Sequence, residues 1–234
     1  MQLFYNPSLD NSFKQFFFTE EESKHIAKVL RKKEGDVLMI TNGRGSLFEA
    51  KILDANAKKC KAQILSEERT IPSLHSLHIA IAPTKMNDRM EWFLEKATEI
   101  GVTEITPILC EHSERKVIKP ARYERVLQAA MKQSLQTFLP KLNPLTQFND
   151  FVEKVTGDLK FIAHCHDSEK LELKRKVQAD KDIVVLIGPE GDFSGSEVKL
   201  SLNQGFLPVS LGKNRLRTET AGIVACSVVA TINS

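Results

Sequence analysis

The chain is poor in cysteine: there are four, Cys60, Cys110, Cys165 and Cys226, and no C-x-x-C pair among them. Wide spacing argues against a disulfide-stapled domain and against a zinc site. Cys110, Cys165 and Cys226 lie in apolar stretches, so reduced core thiols are expected. No apolar run approaches the roughly 20 residues that a bilayer requires. The first ten residues lack a basic segment followed by a long apolar one, so no secretory leader is expected and a cytoplasmic protein is. An excess of one charge is also missing. With 33 basic and 30 acidic side chains the net charge is +3, so a polyanionic partner would have to be met by local clusters. No repeat or low-complexity segment is present. No metal is expected, since His164 and His166 share one strand face without a third ligand at suitable spacing.

Glycine is missing from one place in particular. The run Leu77–Ala82 has the character of a first buried strand, yet it leads into Pro83-Thr84-Lys85-Met86-Asn87. A dinucleotide site would show G-x-G-x-x-G there, and the common methyltransferase fold an early glycine loop. G-x-x-x-x-G-K-[ST] and G-x-S-x-G are absent as well, which argues against a P-loop nucleotidase and a serine hydrolase.

The glycine turns come late. Ile183–Ile187 is a continuous apolar, β-branched run, the mark of a strand covered on both faces. It enters Gly188-Pro189-Glu190-Gly191, which cannot continue a strand. Ser194 or Ser196 then caps a helix through Gln204, with Glu197 placed for a capping box on Ser194. A second apolar strand, Phe206–Leu211, ends at Gly212, and Thr218 or Thr220 opens a small-residue helix, Ala221–Ile232. These are two ordinary βα turns or, at strand carboxyl ends, a ligand crevice.

Ahead of them the chain reads as two domains, 1–70 and 71–234. The first has a helix over Thr19–Leu30, strands at Val37–Thr41, Leu47–Leu53 and Cys60–Ser66, and a hairpin turn at Asn42-Gly43-Arg44-Gly45, which together suggest a small β-barrel. Glu67–Ser76 reads as a linker. The second alternates strand and helix: Leu77–Ala82, Asn87–Ile100, Ile105–Cys110, Ala121–Phe138 and Phe161–Cys165 precede the late stretch, giving an α/β domain with five strands. Two basic segments stand out. One is the helix end containing Arg31 and Lys32; the other is the long loop 111–122 with Arg115, Lys116 and Arg122. Each is either a solvated surface or a phosphate contact.

Taken together, Ile187-Gly188-Pro189-Glu190-Gly191 with Phe193-Ser194 and Glu197, and Leu211-Gly212 followed by Leu216-Arg217-Thr218-Glu219-Thr220-Ala221, resemble the small-subunit ribosomal RNA methyltransferase E family of the SPOUT superfamily. Lys85, the helix end Glu95–Gly101, Gln133-Ser134 and Val29-Leu30-Arg31 agree with it. The resemblance implies a PUA-like β-barrel before a SPOUT domain with a C-terminal trefoil knot near 160–225. Knots are almost absent among folds, and periodicity gives no sign of one. It also implies S-adenosylmethionine as cofactor, a homodimer, and methylation of uracil N3 in 16S ribosomal RNA of the small ribosomal subunit. A SPOUT enzyme for another RNA or atom, and a non-catalytic RNA-binding assembly factor, are the alternatives.

On that resemblance the cofactor residues are Ile187, Gly188, Pro189, Glu190, Gly191, Leu211, Gly212, Leu216, Arg217 and Thr218. Arg217 and Glu219 are the catalytic pair. Arg31, Lys32, Arg115, Lys116, Arg122, Gln133 and Ser134 contact RNA. The chemistry is consistent: glycines allow close backbone approach, and Ile187, Leu211 and Leu216 suit an adenine. Uracil N3–H must lose its proton to be methylated, a task for a cation that stabilises the anion and a carboxylate that orients it or takes the proton. Two departures stand out, Asp192 where the family has a second glycine and Gln136 where a basic residue often follows Gln-Ser.

Overall fold

The computed structural model describes residues 2–234. The chain divides into two compact units, Met1–Pro72 with Met131–Leu139, and Ser73–Ala130 with Pro140–Ser234.

The first unit is built on a five-stranded sheet of β1 (Leu3–Tyr5), β2 (Gln15–Phe17), β3 (Val37–Thr41), β4 (Ser46–Asp54) and β5 (Lys61–Arg69), in the order β1-β3-β4-β5-β2. Only β1 and β3 run parallel. Alternation on β4 turns Phe48, Ala50 and Ile52 inward onto Phe4, Phe16, Phe18 and Ile40. Two strands were not expected, because three residues are too few to display a period. The expected linker is also partly strand: β5 runs on to Arg69 because Ser46–Glu49 supply an antiparallel partner. The helix read at 19–30 changes pitch. Thr19 accepts a hydrogen bond from the Glu22 N–H to cap α1 (Glu20–Lys24), and the chain continues as a π-helical turn, His25–Val29, closed by Leu30 N–H donating to His25 O at 2.9 Å.

The second unit is a parallel sheet with helices. Its elements are β6 (Leu77–Ile81), α2 (Asn87–Ile100), β7 (Glu104–Leu109), α3 (Pro120–Gln133, whose last residues from Met131 belong to the first unit), β8 (Lys141–Leu142), β9 (Thr146–Gln147), α4 (Phe148–Lys154), β10 (Leu159–Ala163), β11 (Leu171–Glu172), β12 (Ile183–Ile187), α5 (Gly195–Asn203), β13 (Leu207–Ser210) and α6 (Thr218–Asn233). The strand order is β11-β13-β10-β12-β6-β7-β8, with β9 on β7. The five strands expected from the sequence are β6, β7, β10, β12 and β13; β8, β9 and β11 are two-residue additions too short to read. β12 is buried along its whole length between β6 and β10, which explains its unbroken apolar run.

The helix expected to reach Phe138 stops at Gln133. Leu135 takes a left-handed φ of 58°, and Gln136 N–H donates to Met131 O while Leu135 N–H donates to Lys132 O. This is a Schellman stop with leucine where glycine is usual, so composition gave no warning of it. At the other end of the scale, Gly101 ends α2 in the left-handed conformation its position suggested.

α6 packs on α2 because it is small. Gly222 lies against the ring of Phe93, and a Cβ there would stand 2.5 Å from Phe93 Cε2 and 3.2 Å from Ile81 Cδ1. Phe93 and Ile81 are wholly buried and have no room to retreat. Gly222→Ala is therefore expected to lower the urea stability of the protein by about 1–3 kcal/mol, the usual cost of overpacking a core. An unchanged midpoint would show that the two helices are free to separate.

Candidate functional site

The carboxyl ends of β10, β12 and β13 lie side by side, and the segments that leave them enclose two adjoining clefts. One, of about 270 Å³, is walled by Ile187, Gly188, Pro189, Glu190, Leu216, Arg217 and Thr218. The other, of about 560 Å³, is walled by Leu211, Gly212 and Leu216 together with His164, His166 and Lys170. Ala163, Cys165, Asp192, Arg215, Leu216 and Ala221 belong to both, so the two are lobes of one concavity. The two late glycine turns are thus brought together by strand order, although more than twenty residues separate them. Gly191 stands one step back, where a Cβ would meet His112 Cβ at 3.0 Å. Gly188 has its own constraint: a Cβ would come within 3.1 Å of the Phe193 ring. Gly212 adopts a φ of 138°, which a residue with a side chain rarely takes.

Side chains lock these loops in place. Asp192, the departure from the glycine pattern, also has a left-handed φ, 64°, a conformation Asp tolerates better than most residues. Its carboxylate accepts from Cys165 N–H at 2.7 Å and from Phe193 N–H at 2.9 Å, tying the turn after β12 to the end of β10. Backbone freedom has been exchanged for a clasp. Glu190 accepts from Lys85 N–H at 3.0 Å, and Thr218 Oγ1 donates to Gly188 O at 3.1 Å. Ser194 and Glu197 form the expected capping box of α5, while Glu197 also accepts from Glu111 N–H at 2.8 Å. The basic loop is fastened from the other side. His112 Nδ1 lies 3.0 Å from Asp192 O, and Arg115 donates to Thr84 O at 2.8 Å and to Lys85 O.

Arg217 is the cap residue of α6 and also lines a third depression, of about 470 Å³, with Asp88, Arg89, Trp92, Glu219 and Thr220. Glu219 is only 7% exposed and has Arg89 Nε 3.8 Å from Oε1. Trp92 is 44% exposed, a large apolar surface left open beside two arginines. Neither Arg89 nor Trp92 was foreseen. Both sit on α2, one face of which was read as core, and nothing in its period distinguishes the residues that flank that face.

The residues expected at RNA are spread over both units. Arg31, exposed at a φ of 52°, Lys32, Gln133 and Ser134 fall in the first, where the Ser134 hydroxyl donates to Met131 O. Arg115, Lys116 and Arg122 fall in the second. Arg122 is paired with Glu91 at 2.5 Å, and Arg115 is occupied by the two carbonyls already named. Cys165 corrects one expectation. It is exposed at the loop after β10 and lines both clefts, whereas Cys60, Cys110 and Cys226 are buried thiols. Apolar residues precede it, but the strand ends at Ala163 and the thiol lies beyond it. Among the described residues, no group of three or more His, Cys, Asp and Glu is placed to hold a metal, and no helix is long and apolar enough to cross a membrane.

Three polar atoms in the cleft walls lack protein partners. Glu190 Oε2 and both ring nitrogens of His164 are buried without a hydrogen bond. Such atoms cost free energy unless a ligand or solvent satisfies them. Burial, helped by the nearby Lys170 ammonium, lowers the His164 pKa to about 4. A lowered imidazole pKa gives stability that is complete above the free value of about 6.5 and is lost as the pH falls toward 4, because the unfolded chain binds the proton more readily. The urea midpoint should therefore fall less between pH 7 and pH 5 in His164→Gln than in the parent. Identical acid sensitivity in the two proteins would remove His164 as its source.

Comparison with known proteins places this geometry in a family. Residues 72–230 match the RNA methyltransferase domain family, and residues 18–65 match the RNA methyltransferase PUA domain. Ribosomal RNA small subunit methyltransferase E of Buchnera aphidicola subsp. Acyrthosiphon pisum is 34% identical over 233 residues, which cover 95% of this chain and 90% of that protein. Among solved structures, the "probable rRNA-methyltransferase" of Porphyromonas gingivalis is 41% identical with a TM-score of 0.94, covering 100% of this chain and 98% of its own. A ribosomal RNA small subunit methyltransferase E from Neisseria gonorrhoeae, bound to S-adenosyl methionine, is 27% identical with a TM-score of 0.86 over 100% and 98% of the two chains. With its parallel sheet, its late glycine turns and a PUA domain ahead of them, this chain belongs to the ribosomal RNA small subunit methyltransferase E family.

Proposed function

We propose that the protein uses S-adenosylmethionine to methylate N3 of a uridine in the 16S RNA of the small ribosomal subunit. The observation that carries this reading is the position of Arg217, which lines both the glycine-turn cleft and the depression that contains Glu219. A donor cleft and an acceptor site that share one lining residue are what a group transfer between two substrates requires.

The cleft residues fit the cofactor. Ile187, Leu211 and Leu216 offer apolar walls for an adenosine, and Gly188, Pro189 and Gly212 leave backbone N–H and C=O partners accessible, with Gly191 packed behind them on His112. Glu190 Oε2 and the His164 ring are unpaired polar atoms at the walls, matched to a ligand that carries amines, hydroxyls and positive charge. Thr218 holds the start of α6 against Gly188. Bound there, S-adenosylmethionine supplies an electrophilic methyl group on a sulfonium.

The protein must then deal with one proton. Uracil N3–H is a weak acid, and its nitrogen is a poor nucleophile until that proton leaves. Glu219, buried beside Arg89, is the base or the group that orients the base at N3. Arg217 stabilises the negative charge that develops on the uracil oxygens. Arg31, Lys32, Gln133 and Ser134 in the first unit and Lys116 in the second contact RNA, while Arg115 and Arg122 hold the basic loop in shape. The α/β unit is a SPOUT domain whose last strands thread a trefoil knot, and the insertion of β12 between β6 and β10 agrees with that. The enzyme is cytoplasmic and works as a homodimer; the exposed Trp92 beside Arg217 supports a second copy near the site.

Calorimetry is expected to show S-adenosylmethionine binding in the low micromolar range or tighter, and no heat at millimolar cofactor would end this reading. With small subunits lacking the modification as substrate, Glu219→Gln should lower kcat by roughly 10²–10⁴ and leave cofactor affinity within a few-fold. Arg217→Ala should lower it by about 10²–10³; unchanged turnover would remove either residue from the chemistry. Mass spectrometry of 16S RNA from cells with and without the protein should show loss of one N3-methyluridine.

A further inference from the structure

The sheet of the first unit carries a second feature, on the side away from its core. Phe17 on β2 is 49% exposed. Its neighbours Phe16 and Phe18 are buried at 6% and 5%, so alternation directs Phe17 outward. On the adjacent β5, Lys61 is the register partner of Phe17, and Gln63 is the partner of Gln15. Lys51 on β4 continues the second row as the partner of Gln63. Ala62 and Ile52, of opposite parity, are buried, so these side chains share the outward face. The Lys59 ammonium lies 4.3 Å from the centre of the Phe17 ring, and that of Lys61 lies 5.7 Å from it. Asp54, the register partner of Lys61, brings a carboxylate to this row.

We infer that this face is a binding platform for single-stranded RNA, with one unstacked base on the Phe17 ring and the flanking phosphates on Lys59 and Lys61. A half-exposed aromatic ring on a sheet, with amides beside it and cations around it, is the constellation that receives splayed bases. Gln15 and Gln63 offer both donors and acceptors to base edges. The cations answer the backbone charge and already stand over the ring, where a base and a phosphate would share them. Double-stranded RNA presents no base face and would gain little from Phe17. A structural role is the competing explanation, since β2 ends the sheet and the lysine charges beside that edge strand discourage pairing with another chain. That role needs the charges and not the exposed ring.

This inference rests on RNA as the substrate class proposed above, and the experiment keeps the two separable. Binding of the full-length protein to a fluorescein-labelled twelve-residue oligouridylate is measured by anisotropy across a salt series, with an RNA duplex of similar length as control. Phe17→Ala should weaken oligouridylate binding by roughly tenfold, in the range for loss of one stacked base. Phe17→Trp should retain it, and Phe17→Leu, apolar without a π face, should behave like the alanine variant. Lys59→Glu with Lys61→Glu should flatten the salt dependence by about one ion or more. Duplex affinity and S-adenosylmethionine affinity by calorimetry should stay within twofold of the parent in Phe17→Ala. Oligouridylate binding within twofold of the parent in Phe17→Ala would overturn the platform, as would an equal loss on the duplex. Absence of cofactor binding in the parent protein would instead count against the methyltransferase reading and leave the platform standing on its own result.

Discussion

The functional end of the second unit depends on where β12 is hydrogen-bonded. Its ladder runs to β6 on one side and to β10 on the other, so it fills the place between an early strand and one that precedes it by only about twenty residues. A strand in that place is covered on both faces and both edges, which accounts for the five consecutive apolar residues and for its complete burial. It also sets the turn after Ile187 beside the loop after Ala163, and with β13 beyond β10, beside the turn after Ser210. The cleft is a consequence of that order of strands. Ligands meet open α/β sheets at such carboxyl ends because helix starts and free backbone groups point there.

Strand order alone leaves the loops free to move, and short polar contacts remove that freedom. Asp192 spans the turn after β12 and the end of β10; Glu197 joins the start of α5 to the start of the basic loop; Thr218 joins α6 to Gly188. Each of these bonds contributes modestly by itself, about 1 kcal/mol. Their value lies in direction, since each ties together segments that leave different strands. A transferase gains from such fixed geometry because donor and acceptor must meet in line. Arg217 occupies the seam between cleft and depression, which is why the reading of the site turns on it.

Asp192 also shows how a family pattern and a single chain diverge. Glycine at such a position satisfies a left-handed φ and nothing else. Aspartate tolerates that φ at a modest cost and contributes two hydrogen bonds that glycine lacks. The departure ties the loop through a different interaction. On the first unit, Phe17 makes a related point: its exposure is set by strand parity, and its company by cross-strand register with Lys61.

Much of the fold was legible because burial writes itself into periodicity. The five main strands of the second unit, the helix 87–100 with its glycine stop, the Ser194–Glu197 capping box and the two late glycine turns all express local rules of side-chain spacing and backbone conformation. Expectation and structure part where local chemistry is silent: at the leucine-stopped end of α3, at the three-residue strands β1 and β2, and at Cys165, which lies two residues past the end of its strand. The residues of the cleft were legible as a group because both glycine turns carry their own signatures. Their convergence was expected only through the family resemblance, and Arg89, Trp92 and the unpaired His164 were not legible, since those follow from contacts between segments far apart in the chain. Local order along the chain sets the main strands, helices and turns, because those choices rest on neighbours within a few residues. Tertiary structure decided that β12 lies between β6 and β10, that Asp192 clasps two loops, and that Arg217 faces two depressions, because each needs partners that only the packed sheet brings together.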